Sequence, residues 1–136
     1  MSRTRLLLAG IIWTACDSPS DTKAAQNDDS RALCAKLEAD GAAKDCRAPK
    51  KPDEPVYSKA KSVSEFSVPG GDERPGVVLV YDSADAFDSA LKSWELMTQT
   101  MGVPLFKNEK KRVLATIPSG SSKQIEAIAR SAVEAW

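Results

Sequence analysis

The chain has 136 residues, 19 Lys and Arg against 19 Asp and Glu for a formal net charge of +0, and no histidine. That length holds one small domain plus a tether. The missing histidine removes Ser-His-Asp triads, Cys-His dyads and His-ligated metals from consideration, and the balanced charge gives no footing for a nucleic-acid role.

In chain order, Arg3 and Arg5 precede an uncharged run from Leu6 to Trp13 that ends in Thr14, Ala15 and Cys16. A basic start, a short apolar stretch and a small-residue exit are the parts of an export signal. About ten apolar positions are half of the roughly 20 that a spanning helix needs. Trp13 breaks the small-residue pattern that ordinary cleavage after Ala15 would use. Trp13-Thr14-Ala15-Cys16 resembles the lipobox of bacterial lipoproteins, with Trp13 standing where that family favours an aliphatic residue. The resemblance covers residues 1–16 alone. It implies that residues 1–15 are a signal peptide and that Cys16 becomes an acylated, palmitate-type N-terminus whose partner is membrane lipid. It also implies a place in the bacterial cell envelope, with Asp17 resembling an inner-membrane retention signal. The alternatives are a plain secretion signal with an incidental cysteine, or a buried N-terminal helix. Loss of residues 1–15 takes two of the 19 basic residues, leaving 17 against 19 acidic ones, a net charge near −2.

With Cys16 assigned to lipid, Cys34 and Cys46 remain as a pair in a chain bound for an oxidising compartment, and a disulfide between them is expected. Two independently buried thiols are the alternative. A metal pair would lack both histidine partners and a Cys-x-x-Cys knuckle.

Residues 17–29 carry no aromatic or branched aliphatic side chain, so residues 16–29 read as a lipidated N-terminus and flexible tether. Ser30 is placed to cap a short helix to about Asp40, with Leu33, Cys34 and Leu37 on one face and Gly41 as its stop. Lys44 to Ala48 reads as a short strand bearing Cys46. Pro49, Pro52 and Pro55 recur at every third position among charged residues, which suits a stiff polyproline II spacer or, alternatively, a proline-recognition ligand. Residues 30–55 thus form a helix, a disulfide loop and a spacer ahead of an α+β domain over 56–136.

That domain opens with a strand inside Tyr57 to Val68, strongest from Val63, where Val63, Glu65 and Ser67 alternate against Ser64, Phe66 and Val68. A turn-rich loop from Pro69 to Pro75 leads into Gly76 to Tyr81, whose unbroken Val77 to Val80 marks a strand covered on both faces or central in its sheet. Asp82 or Ser83 caps a helix to Met101, closed by Gly102, with Phe87, Ala90, Leu91, Trp94, Met97 and Met101 as its apolar stripe. Val103 to Lys107 and Arg112 to Ile117 form a hairpin around Asn108 to Lys111. Ser121 or Ser122 caps a last helix with Ile125, Ile128, Ala129, Ala132, Val133 and Trp136 on one face. The order ββαββα predicts a two-layer sandwich, a sheet of about four strands with two helices on one face, preceded by the disulfide-linked helix. A right-handed crossover joins Gly76 to Tyr81 with Val103 to Lys107 if they are parallel.

No phosphate-cradling glycine loop is present, and no cofactor is expected. Asp82, Asp85 and Asp88 sit where the central strand enters its helix and are the candidate cation ligands; acids in a first helical turn also favour the helix dipole without any ligand. Lys107, Lys110, Lys111 and Arg112 put positive charge on the hairpin tip, a solvated turn or a contact for anionic headgroups. Trp94, Trp136, Met97 and Met101 belong to helix stripes and read as core. Three functions follow: a non-catalytic envelope lipoprotein that binds another envelope protein or serves structure, a small-ligand or metal-binding lipoprotein, and a carboxylate-dependent envelope hydrolase.

Overall fold

Four consecutive apolar residues, Val77 to Val80, leave a strand with no polar face, so both sides of it need cover. In the computed structural model, which describes residues 28–71 and 73–136, this strand is β3 (Gly76–Val80), the middle member of a five-stranded sheet, and all five of its residues are buried. The elements before it are α1 (Asp28–Ala39), β1 (Lys44–Arg47), a 3-10 turn (Pro55–Tyr57) and β2 (Ser62–Ser67). Those after it are α2 (Ala84–Met101), β4 (Leu105–Asn108), β5 (Val113–Thr116) and α3 (Lys123–Glu134). The sheet order is β1-β2-β3-β5-β4, with every neighbouring pair antiparallel.

Alternation along β3 divides the core in two. Val78 and Val80 face α1 and α3, joined there by Phe66, Phe106, Val113 and Ala115 from the other strands. Val77 and Leu79 face α2 with Tyr81, Leu114, Phe87 and Trp94. The chain is therefore α+β with helices on both faces, and the expected two-layer sandwich with both long helices on one face is corrected: α2 and α3 lie on opposite sides. The four-strand expectation also falls short, because β1 pairs with β2 and makes a fifth strand ahead of the ββαββα run. β3 and β4 both run antiparallel to β5, which lies between them, so they point the same way without being neighbours.

The folded unit does not begin near Val56. Leu33, Cys34 and Leu37 of α1 are fully buried in the same core as Val78 and Val133, so the helix expected ahead of the domain is one of its layers. Ser30, expected as a cap, lies inside α1 and is fully buried; its hydroxyl meets those of Ser62 (2.5 Å) and Ser64 (2.8 Å) on β2. These three hydroxyls satisfy one another where a polar face of β2 meets the helix layer.

Helices α2 and α3 start as their sequences require. Ser83 accepts from the Ala86 amide (3.1 Å) and Ser122 from that of Ile125 (3.1 Å), each removing an orphan donor. Gly102 ends α2 with φ 70, a left-handed cap that suits glycine. Met101, the last member of the α2 stripe, is 55% exposed, and Leu96 is 64% exposed. Gly76 sits opposite Phe66 in the β2–β3 register, and a Cβ there would lie under 3 Å from three atoms of the buried Phe66 ring.

Candidate functional site

The residues singled out by sequence fall in four places. Cys16 and Asp17, with all of the signal segment and most of the tether, lie outside the described residues; Asp28 and Asp29 at the tether's end are helical. Cys34 and Cys46 form a disulfide that ties α1 to the edge strand β1, with Cα atoms 6.1 Å apart.

Asp82, Asp85 and Asp88 are all exposed, and among the described residues no group of three or more acidic or cysteine side chains converges as a cation would require. Asp85 lies in the first turn of α2, where its charge favours the helix dipole.

The basic hairpin tip is used largely for structure. Lys107 pairs with Glu109 (3.1 Å), and Arg112, at φ 56 in the left-handed region, donates from its guanidinium to the Asp82 carbonyl (2.9 Å). Asn108 donates to the Val133 carbonyl of α3 (2.9 Å) and accepts from the Lys111 amide (3.1 Å), clamping the tip to the end of the last helix. Among the described residues, Lys110 and Lys111 make no ion pair through their side chains.

The feature that sequence reasoning missed lies on the α2 side of the sheet. Residues 49–55, expected as a stiff spacer, and residues 57–61, expected at the start of the strand inside Tyr57 to Val68, instead take successive tight turns, with the amides of Glu54, Tyr57, Ser58 and Ala60 donating to the carbonyls of Lys51, Glu54, Pro55 and Tyr57. Tyr57 and Ala60 pack into the α2-side core, so the segment is a strap across that face. The Tyr57 hydroxyl donates to Glu65 Oε2 (2.9 Å), and burial followed by that carboxylate holds the phenol well above its ordinary pKa.

Between strap and helix lies a cavity of about 320 Å³. Val56 and Lys59 line it from the strap, Ser93, Trp94 and Met97 from α2, and Tyr81 from the end of β3. Tyr81 is 2% exposed, stands edge-on to Phe87 with centroids 6.2 Å apart, and has a buried hydroxyl with no hydrogen-bond partner among the described residues. Burial pushes its phenol up to about 12, with the Trp94 indole acting more weakly the other way although its geometry falls short of a hydrogen bond. The chain matches no protein-family model, no curated protein and no solved structure. An unpaired buried hydroxyl costs about 1–3 kcal/mol, which makes Tyr81 the most conspicuous polar group in this core. The sequence signal for the cavity was faint: a tyrosine at the end of an apolar strand, followed by a helix whose Ser89 and Ser93 interrupt its cavity-facing side.

Among the described residues, no helix is long and apolar enough to cross a membrane.

Proposed function

We propose that this protein is a lipid-anchored lipoprotein of the bacterial cell envelope, held on the membrane by acylated Cys16, whose domain serves a non-catalytic binding or structural role toward another envelope protein. The observation that carries the proposal is the Cys34–Cys46 disulfide. Such a bond persists in oxidising compartments outside the cytosol, and it consumes two of the three cysteines, leaving Cys16 alone at the end of the export-type segment. The absence of histidine from the whole chain supports a binding role over acid–base catalysis at neutral pH.

A second observation supports the membrane-facing orientation. Lys61 pairs with Asp29 at the start of α1 (3.1 Å) and donates its amide to Val80 (2.7 Å), while the Tyr81 amide donates to Arg112 (2.9 Å). The point where the N-terminal segment joins the domain and the basic hairpin tip therefore share one end of the sheet. In this reading Lys110 and Lys111 approach anionic headgroups once the anchor is seated, each adding about 1 kcal/mol near the surface. Lys107 and Arg112 support the tip from within.

The test is Cys16→Ala in the full chain expressed in a bacterial host with radiolabelled palmitate. Loss of both label and membrane fractionation is the expected result. Retention of membrane association without label would sink the anchor reading.

A further inference from the structure

We propose that the cavity between the strap and α2 binds a small apolar molecule bearing one carboxylate, its body against Val56, Trp94 and Met97 and its charge against the Lys59 ammonium. The inference stands apart from the lipid anchor and needs only the fold.

Size, lining and an unpaired charge argue for it together. A volume of about 320 Å³ is at the small end of ligand cavities, which run from about 300 to about 1,000 Å³. The wall is mainly apolar, with Val56 on the strap facing Trp94 and Met97, about one turn apart on α2. Val56 is 40% exposed, so it leaves branched aliphatic surface in water that a bound molecule would cover. Lys59 is the one charged residue of the lining, and no acidic side chain accompanies it there. Among the described residues it makes no ion pair, whereas Lys61, two positions on, is paired with Asp29 (3.1 Å). The hydroxyls of Ser58 and Ser93, on the same lining, likewise make no hydrogen bond among the described residues. An apolar recess is therefore bordered by one positive charge and two hydroxyl donors.

The place of that charge sets the ligand's class. Lys59 is exposed, so a carboxylate that meets it stays partly in water and escapes the cost of full desolvation, while the apolar body enters the recess. A cation would meet like charge with no acid on the lining to offset it. The lysine ammonium is a point charge without the planar fork of arginine, so a single carboxylate oxygen satisfies it. The Tyr81 hydroxyl is sealed inside the wall and takes no part.

The test uses a matched pair, 2-naphthoate and 2-naphthamide, which share a ring system and differ in charge. Each is titrated into the full chain in nanodiscs of zwitterionic lipid, with empty nanodiscs giving the correction for uptake by lipid. Binding is read from the Met97 methyl resonance, identified by its loss in Met97→Leu, with the exposed Met101 methyl as internal control. The expected result at low salt is about fivefold tighter binding of naphthoate, the upper end for an ion pair in water. In Lys59→Met, which keeps a straight apolar stem and removes the charge, the ratio falls to near one with naphthamide binding retained. In the parent protein the preference also shrinks in about 1 M salt, where the screening length is about 3 Å. No response at Met97 to either probe, equal affinities in the parent, loss of naphthamide binding in Lys59→Met, or a preference that survives that change or high salt overturns the proposal. A second measurement guards it: without probe, Lys59→Met is expected to unfold within about 3 °C of the parent, as for an exposed side chain without partners. A larger fall would mean that Lys59 holds the strap in place, and this too overturns the proposal.

Discussion

Reducing the Cys34–Cys46 bond is the perturbation whose size follows most directly from the structure. Cys34 is fully buried in α1 between Leu33 and Leu37, both fully buried, and Cys46 is half-buried on β1, twelve residues away. Reduction leaves those side chains in place and acts chiefly on the unfolded chain, which regains the freedom that closing the loop had removed. For a loop of this length the chain-entropy model gives about 3 kcal/mol, against about 5–15 kcal/mol for the whole stability of a typical domain. Urea unfolding of the protein with and without reductant measures it. With a slope near about 1.5 kcal/mol per M, the midpoint falls by about 2 M. Alkylation before unfolding should label neither cysteine in the oxidised protein. Midpoints agreeing within about 0.3 M would refute the reasoning, because α1 would then be held by packing alone.

Two further predictions concern the core and alkaline pH. Gly76→Ala forces a Cβ into the ring of Phe66, which is 1% exposed and has nowhere to move, so a loss of about 1–3 kcal/mol is expected in thermal unfolding; an unchanged Tm would contradict the packing described. Tyr57 and Tyr81 both hold their protons more tightly folded than unfolded, so the native state binds more protons than the unfolded chain once pH passes the ordinary phenol value of 10.0. Their contribution is complete below that pH and is lost as pH rises through about 12 and beyond; urea midpoints of the parent should fall across this window more steeply than those of Tyr57→Phe with Tyr81→Phe, and parallel curves would rule the assignment out.

Most of the elements are legible in the sequence because local periodicity and local chemistry create them. Ser83 before an apolar stripe and Gly102 after it mark α2, and an unbroken Val77 to Val80 marks the strand at the centre. The Cys34–Cys46 pair is legible from the cysteine count once Cys16 is set apart. Ser30 shows where local reading stops. A serine ahead of an apolar face looks like a cap, yet this one pairs with Ser62 and Ser64 more than thirty residues away. The proline-rich strap shows the same limit, since three evenly spaced prolines suit an extended spacer until Tyr57 and Ala60 find a core to enter. Asn108, inside the expected hairpin tip, closes the last helix through the Val133 carbonyl, and nothing within the tip announces that.

By itself the sequence determined which residues are apolar, on what period, and where α2 and α3 begin, because those depend on neighbours a few positions apart. Only the tertiary structure decided which layer each apolar face meets. A strand apolar on both sides accepts helices on either, and a helix stripe fits whichever face is open, so the placing of α1 with α3 and of α2 alone rests on contacts distant in sequence. The cavity beside Tyr81 depends on the same choice, since it exists because one helix and a turn-rich strap together cover that face of the sheet.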